Sequence, residues 1–277
     1  MAYISRIEID SLWSGVHHVE WNLRPDVNIL SGVNGVGKST ILNRVVNNLL
    51  NVDRLAKSID GVTLTFQPVD AQQVRFDVIR SFDRPLISSD ILAKVADISL
   101  HSELDLQLYQ LQRRFLDYQV NISNRMVHLL TSQVNDANEK VQALAQEKLH
   151  FFDLLDQLFA DTGKKILRTS NEIVLVQHGE NLTPYQLSSG EKQMLIILLT
   201  VLVQDKQSYT LFMDEPEISL HIEWQQKLIG LIRDLNPNAQ IILTTHSPAV
   251  IMNGWADCVT DVDDIVTDVG GVMPQYD

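Results

Sequence analysis

The chain has 277 residues, 45% of them hydrophobic and 21% charged, which is enough for one large α/β domain or for a core with an inserted lobe. Its formal net charge of −13 counts against sequence-independent binding to nucleic-acid phosphates, although a local basic patch stays possible. Cys258, the only cysteine, excludes an intramolecular disulfide, and the charged N-terminus and short apolar runs predict a cytoplasmic protein without a membrane span.

The first thirty residues predict antiparallel strands with one solvent-exposed face. Apolar residues alternate with polar ones at Ile4, Ile7, Ile9, Val16, Val19 and Trp21. Four rings in this stretch are candidates for packing against an adenine base: Trp13, His17, His18 and Trp21. Packing in the core or on the surface is the alternative role for each of these rings.

Residues 32–40 follow a short apolar run that predicts a buried strand, and they precede a helical pattern that begins at Ile41. They read Gly-Val-Asn-Gly-Val-Gly-Lys-Ser-Thr and match the P-loop pattern GxxxxGK[ST]. Glycines let the backbone approach a triphosphate closely, so that successive N–H groups point at phosphate oxygens. Lys38 is expected to bind the β- and γ-phosphates, and Ser39 to bind Mg²⁺. The predicted ATP-binding residues of this loop, beside Gly32, are Asn34, Gly35, Gly37, Lys38, Ser39 and Thr40.

Residues 61–80 alternate in hydrophobicity on both sides of a turn at Pro68, which predicts a β-hairpin. In many P-loop ATPases a glutamine near this position senses Mg²⁺ and the γ-phosphate. The sequence does not choose among the side chains available for that role, which are Gln67, Gln72, Gln73, Ser81 and Asp83. A surface-loop position is the alternative for each of them.

Two helical patterns occupy the middle of the chain. Apolar residues recur at steps of three and four from Leu104 to Leu129 and again from Val141 to Leu158. Two antiparallel helices, each on the order of 40 Å long, would form a lobe inserted at residues 88–163 of a single ATPase domain spanning 1–277. A packed helical subdomain is favoured over an extended coiled-coil arm, because neither helix is long enough for such an arm.

Leu187–Gln193 reads Leu-Ser-Ser-Gly-Glu-Lys-Gln and directly precedes an apolar helical segment. Ser188 or Ser189 at the helix cap, with Gly190 in the first turn, predicts a second anion-binding helix start. One ATP needs one P-loop, so this second site is expected to serve the ATP of a neighbouring copy.

Two further apolar runs predict buried strands that end in polar residues. The first ends in Asp214-Glu215-Pro216-Glu217 and the second in His246-Ser247-Pro248. Asp214 is expected to hold Mg²⁺ through water, and Glu215 to deprotonate or orient the attacking water. His246 is expected to contact the γ-phosphate, since the carboxyl ends of parallel strands deliver ligand-binding groups to one edge of an α/β sheet.

The order of these motifs resembles that of ABC-type ATPases. It is similar to the branch that includes SMC, RecF, Rad50 and OLD-type ATPases, and within that branch to the small AAA_21-like proteins of bacteria. The run from Glu217 to His221 matches the PExxLH turn of the branch, and Glu217 itself is interpreted as a helix-start residue. The resemblance implies an α/β P-loop NTPase fold, the ABC ATPase head, with a mixed central sheet, an antiparallel β subdomain and an inserted helical lobe.

The resemblance also implies a Mg²⁺-dependent ATPase that forms a head-to-tail homodimer around two ATP molecules. Each ATP would be held from one side by residues 32–40, Asp214, Glu215 and His246. Ser188 and Gly190 of the neighbouring copy would close over it, with Ser219 and Leu220 in the dimer seam. The chain has no Cys-x-x-Cys hook like that of Rad50, which puts a DNA-tethering role in doubt, and the short stretch after His246 leaves no room for a fused nuclease domain.

The leading functional hypothesis is an ATPase whose ATP-gated dimerisation controls a separately encoded effector, such as a nuclease, in bacterial anti-phage defence or DNA repair. A higher assembly is compatible with this hypothesis, and direct nucleic-acid binding stays open. The alternative is a slow-turnover, ATP-binding sensor or scaffold subunit. A transporter energy subunit is disfavoured, because the turn at Leu220-His221 and the helical lobe depart from transporter ATPases.

Overall fold

The computed structural model describes residues 2–13, 17–51, 61–81, 100–132 and 136–268. The chain divides into two compact units: unit 1 comprises 1–80, 207–217 and 238–277, and unit 2 comprises 81–206 and 218–237. Val16, Asp83 and the predicted lobe boundary at residue 88 lie outside the described residues.

The strands, in chain order, are β1 (Tyr3–Leu12), β2 (His17–Asn22), β3 (Val27–Ser31), β4 (Val62–Gln67), β5 (Phe76–Arg80), β6 (Lys165–Ile166), β7 (Leu175–Gln177), β8 (Glu180–Leu182), β9 (Tyr209–Asp214), β10 (Ala239–Thr244), β11 (Val259–Asp261) and β12 (Val266–Asp268). The α-helices are α1 (Lys38–Asn51), α2 (Glu103–Thr131), α3 (Ala137–Leu158), α4 (Ser189–Val203), α5 (Ile222–Leu235), α6 (Pro248–Ile251) and α7 (Val262–Ile265).

A parallel sheet with the strand order β11-β3-β10-β9-β5 forms the centre of unit 1. Its middle strand, β10, is buried at every position, and β9 is buried from Thr210 to Met213. Continuous apolar runs of this kind are typical of parallel strands that are covered on both faces. The carboxyl ends of β3, β10 and β9 therefore lie side by side, which is where an α/β sheet binds its ligands.

An antiparallel sheet, in the order β12-β2-β1-β4, forms the second layer of unit 1. Ile7 and Trp21 pair across β1 and β2 with their side chains in the core, whereas the neighbouring pair Glu8 and Glu20 is partly exposed. The same core contains Ile41 of α1 together with residues of both sheets. The structure thus confirms the predicted α/β fold with an antiparallel β subdomain. All pairings in the central sheet are parallel, whereas a mixed sheet was predicted, and the antiparallel strands form the separate second layer.

The β-hairpin predicted for residues 61–80 is wrong. Strand β4 pairs with β1 in the antiparallel sheet, whereas β5 pairs in parallel with β9 in the central sheet. The turn chemistry at Pro68 and the alternation on both sides were correct local signals. The pairing partners, however, are distant strands, and the segment between β4 and β5 carries the chain from one sheet to the other.

Gln240 of β10 links the two sheets of unit 1 through its amide. Its side chain is buried, and its Oε1 accepts from the Ile4 N–H at 3.0 Å and from Thr210 Oγ1 at 3.2 Å. Its Nε2 donates to the carbonyls of Ile4 at 2.7 Å and Arg24 at 2.8 Å. One amide therefore satisfies both backbone groups of Ile4, which β1 would otherwise bury without a partner.

Unit 2 is built around α4, whose residues from Met194 to Leu202 are all buried. Helices α2, α3 and α5 pack against it, and β6, β7 and β8 form a small antiparallel sheet. The helices predicted as a lobe thus share a unit with α4. None of the helices in the described ranges combines the length and apolar character needed to cross a membrane.

We expect Gln240→Leu to lower the free energy of unfolding by about 2–4 kcal/mol, because it removes the amide and leaves the buried N–H and carbonyl of Ile4 without the partners that Gln240 supplies. Urea denaturation followed by circular dichroism measures the change. The matched control is Gln72→Leu at an exposed position. Equal stability of the two variants would contradict the linking role of Gln240.

Candidate functional site

The predicted P-loop connects β3 to α1, as the strand-turn-helix pattern indicated. Gly37 has φ = +102°, and a Cβ built at this position would lie 2.2 Å from Cζ2 of Trp13. Glycine is therefore required here both by the backbone conformation and by the close approach of the indole ring. Asn34 is exposed in the loop, and Thr40 is exposed in the first turn of α1.

Lys38 begins α1 and is buried, with only 4% of its surface exposed. Its Nζ donates to the carbonyls of Gly32 at 2.9 Å and Val33 at 3.2 Å. The same ammonium lies 3.9 Å from Oε1 of Glu215. The P-loop backbone thus binds the Lys38 ammonium group, which lies next to Glu215, the residue predicted to be catalytic.

Ser39 and Asp214, the two predicted Mg²⁺ ligands, are in direct contact. Ser39 Oγ donates to Asp214 Oδ1 at 2.9 Å, and Thr244 Oγ1 donates to the same oxygen at 2.6 Å. Hydroxyl and carboxylate oxygens suit Mg²⁺, which binds through one or two protein groups together with phosphates and water. The described ranges contain no cluster of three or more His, Cys, Asp or Glu side chains that could hold a metal by themselves. The residues present therefore fit a magnesium–nucleotide complex.

Glu215 has a strained backbone, with φ = +45°. Its N–H donates to both the carbonyl and Oγ1 of Thr244, at 3.1 and 3.0 Å. Its Oε1 lies 3.3 Å from Nδ1 of His246. Non-glycine residues in the left-handed region cluster at functional sites, where the surrounding structure holds the strain.

Thr244 was not singled out from the sequence, although it contacts both Asp214 and Glu215. Its position could have identified it, because Thr244 is the last residue of the central strand β10 and lies next to the end of β9. A hydroxyl at a strand end is too common to stand out without the strand order.

The prediction that Glu217 starts a helix is wrong. Helix α5 begins at Ile222, and the residues between include Ser219 at φ = +70°, which breaks the helical path. Glu217 is buried, and its Oε1 accepts from Thr245 Oγ1 and from the His246 N–H at 3.3 Å. Burial raises the pKa of Glu217, and these hydrogen bonds oppose that shift. The side chain therefore fixes the backbone that presents His246.

The four candidate adenine-packing rings occupy different environments. Trp21 is buried, and its Nε1 donates to Thr260 Oγ1 at 3.2 Å, so it belongs to the core. Trp13 is 39% exposed, contacts the P-loop at Gly37 and meets the ring of His17 edge-on, with centroids 5.2 Å apart. His18 lies beside Asp10, with Nδ1 3.9 Å from the carboxylate. Trp13 is therefore the aromatic ring next to the phosphate loop.

The γ-phosphate-sensing glutamine stays unassigned. Ser81 is buried in unit 2, where its hydroxyl accepts from Nε2 of Gln193 at 3.2 Å, so a structural partner already occupies it. Gln67 ends β4, and Gln72 and Gln73 are exposed in the segment that follows.

A helix begins at Ser189, as the sequence predicted, and Ser188 is its N-cap. Ser188 Oγ accepts from the Glu191 N–H at 3.4 Å, and Glu191 Oε2 accepts from the N–H and hydroxyl of Ser188 at 3.0 and 2.9 Å, which forms a capping box. Lys164 donates to the other oxygen of Glu191 at 2.8 Å. Burial alone would raise the pKa of Glu191, but the bonds from Lys164 and Ser188 outweigh it and lower the pKa.

Gly190 packs against the turn that was predicted to lie in a dimer seam. A Cβ at this position would lie 2.3 Å from the carbonyl oxygen of Ser219. Ser219 itself is held at φ = +70°, so its carbonyl is directed by a constrained backbone. Within unit 2, the start of α4 and the turn before α5 are thus in direct contact.

The predicted site residues therefore fall into two groups. Unit 1 brings together the P-loop, Asp214, Glu215 and His246, whereas Ser188 and Gly190 belong to unit 2. Each group is internally connected by the hydrogen bonds and contacts described above.

Comparison with known proteins gives a family and a fold. The model of the family AAA_21, described as an AAA domain, putative AbiEii toxin, Type IV TA system, matches residues 72–253. The Septu protein PtuA of Bacillus thuringiensis is 27% identical, over 91% of this chain and 73% of that protein. The retron Vc95 probable ATPase of Vibrio cholerae serotype O1 biovar El Tor is 25% identical, over 54% of this chain and only 32% of that protein.

Among solved structures, an SMC head bound to the C-terminal winged-helix domain of ScpA aligns over 91% of both chains, with a TM-score of 0.54 and 18% identity. At this identity the likeness shows the fold alone. It confirms the ABC-type ATPase architecture that the motif order predicted.

We expect Gly190→Ala to destabilise the protein by about 1–3 kcal/mol, because the added methyl group overlaps the Ser219 carbonyl. The matched control is Gly230→Ala in α5, where a Cβ meets nothing within 4 Å. That change should stabilise the protein by up to about 1 kcal/mol, since alanine favours helix over glycine. Denaturant midpoints that shift in the same direction for both variants would refute the contact.

Proposed function

The chain belongs to the AAA_21 family, and on that basis we propose that it binds ATP with Mg²⁺, hydrolyses it and thereby gates a separate effector. The observation that carries this proposal is the cluster at the carboxyl edge of the parallel sheet. There Oε1 of Glu215 lies 3.9 Å from Nζ of Lys38 and 3.3 Å from Nδ1 of His246. Beside them, Ser39 and Asp214 form the metal-binding pair.

Each group has a role that follows from its chemistry. Bound Mg²⁺ neutralises phosphate charge in such sites, and Ser39 and Asp214 supply the oxygen atoms that would hold it. Lys38 supplies a buried positive charge for the phosphates. Its ammonium group now donates to the carbonyls of Gly32 and Val33. Hydrogen bonds to charged phosphate oxygens are stronger than these, so phosphate could replace the carbonyls.

Glu215 is the proposed base that accepts a proton from the attacking water. The strained backbone and the two bonds from its N–H to Thr244 fix the direction of its side chain. His246, which is 46% exposed at its side chain, contacts the same carboxylate and is proposed to hold the γ-phosphate. A preorganised base of this kind contributes about 10²–10⁴-fold to a rate.

We further propose that two copies of the chain enclose the ATP. The start of α4 offers N–H groups and a positive dipole end, and Ser188 and Ser189 are exposed there. Unit 1 already has its own P-loop, so this second anion site is available to the phosphates of a neighbouring copy. The contact between Gly190 and Ser219 would bring the predicted seam residues Ser219 and Leu220 to the same interface.

Bacterial defence is the proposed setting, with a separately encoded effector such as a nuclease. A Septu protein and a retron ATPase among the relatives favour defence over DNA repair. A slow-turnover sensor or scaffold is the alternative, and it predicts ATP-dependent assembly with little release of phosphate.

We expect Glu215→Gln to reduce ATP turnover by about 10²–10⁴-fold and to retain ATP binding, because the amide keeps the shape of the side chain and loses the base. Phosphate release and binding of a fluorescent ATP analogue measure the two properties. Glu223→Gln, at an exposed position in the first turn of α5, is the control and should behave like the wild type. Undiminished turnover in Glu215→Gln would remove Glu215 from its role, and negligible turnover in the wild type would support the sensor.

We expect Ser189→Glu to abolish ATP-driven dimerisation of the Glu215→Gln protein and to leave the fold intact. An acidic residue in the first turn of a helix is favourable for folding, but its charge would repel the triphosphate of the other copy. Light scattering after size-exclusion chromatography, with and without ATP, reports the dimer. Asn181→Glu, at an exposed position away from the helix start, is the charge-matched control. Persistence of the dimer in Ser189→Glu would argue against the proposed ATP sandwich.

A further inference from the structure

A cavity of about 640 Å³ lies between α2 and α3, outside the nucleotide site. Its wall is largely apolar and includes Leu116, Met126, Leu144 and Phe152. Cavities of this size and character suit a small organic ligand when a few polar groups on the wall fix its orientation. The polar groups on this wall therefore decide what the cavity could bind.

Lys148 is the distinctive polar group of this cavity. Its Nζ lies 5.3 Å from the ring centroid of Phe152 and 5.7 Å from that of Phe115, and it donates to Oε1 of Gln119. No carboxylate among the described residues forms an ion pair with it, and burial lowers its pKa. Arg168, on the same wall, is instead neutralised by Asp153 and Asp156 at 2.6 and 2.7 Å. A partly buried ammonium without a counter-ion is costly, so Lys148 is the charge on this wall that an anion would compensate.

Tyr118 adds a second polar group to the same wall. Its hydroxyl is buried and has no hydrogen-bond partner in the part of the chain that the structure describes. Burial, reinforced by the charge of Glu147, raises the pKa of Tyr118, so the hydroxyl stays protonated and able to donate. Buried polar groups are nearly always satisfied, which makes an unpartnered donor in the wall of the same cavity as Lys148 informative.

We propose that this cavity binds a small amphipathic anion, whose charged head group pairs with Lys148 and whose apolar body packs on Phe152 and the neighbouring aliphatic side chains. Lys148, a single cation without a counter-ion, would pair with one anionic group of the ligand. The apolar wall would pack against a hydrocarbon or aromatic body. This inference does not depend on ATP hydrolysis, since every residue that carries it lies in unit 2.

The test uses two dyes with the same apolar body, anilinonaphthalene sulfonate and its uncharged parent phenylnaphthylamine, each titrated against the 277-residue chain by fluorescence. Lys148→Met keeps the length of the side chain and should weaken sulfonate binding by at least about tenfold, because it removes a charge-assisted bond. Binding of the uncharged dye should change less than about twofold, since the apolar wall is intact. Lys148→Arg should restore sulfonate binding. Unchanged sulfonate binding in Lys148→Met, or an equal loss of both dyes in a protein with an unaltered melting curve, would overturn the proposal.

A second arm separates a small ligand from an extended peptide. A neighbouring cavity of about 650 Å³ shares Asn124 and Leu144 with the first and is lined by Lys140. Lys140→Met should leave sulfonate binding unchanged if the ligand occupies the first cavity alone, whereas a loss equal to that of Lys148→Met would favour a peptide lying along both. Competition with dodecanoate and with dodecyl phosphate identifies the preferred head group, and displacement of the dye by neither would overturn the proposal.

Discussion

The parallel register of three strands is the constraint on which the site depends. It sets Thr244 of β10 beside Leu30 of β3 on one side and beside Asp214 of β9 on the other. The P-loop starts immediately after β3, so the same register brings Ser39 to Asp214 and Lys38 to Glu215. A shift by one residue in either pair would turn every side chain to the opposite face and separate these groups. Such a shift would be costly, because it would expose the apolar side chains of the buried strands. Packing of the core therefore fixes the positions of the polar groups in the site.

The start of α4 is held by a comparable set of constraints inside unit 2. Lys192 pairs with Asp105 near the start of α2, and Lys164, after the end of α3, pairs with Glu191. Both pairs are largely buried, so removing one partner would leave a charge without compensation. The first turn of α4 is therefore tied to segments adjoining both long helices. A ligand or partner that alters the arrangement of α2 and α3 would act on the same turn that we propose offers N–H groups to the phosphates of a neighbouring copy.

The sequence was most informative where chemistry demands particular residues in a fixed order. The P-loop, Asp214 and Glu215 could be predicted because few folds need a glycine-rich turn, a lysine and a strand-end acid pair together. Ser188 and Ser189 could not be distinguished as the cap, since both are good capping residues and only the reach of Glu191 decides between them. The pairing of β4 and β5 was missed because local alternation does not reveal distant partners. Thr244 and Glu217 act through contacts between segments far apart in sequence, which no local pattern encodes.

The strand order also determines when the protein becomes competent during synthesis. The amide of Asn28 in β3 bonds to the carbonyl of Ile241, 213 positions later in the chain. A nascent chain that has passed the end of α4 already contains α2, α3 and α4 of unit 2. Strand β3, in contrast, has no neighbour in its sheet until β10 leaves the ribosome. High contact order of this kind slows folding and leaves apolar strands exposed for longer. A polypeptide interrupted before Ala239 would contain the entire phosphate loop and still have no central strand to hold it in place.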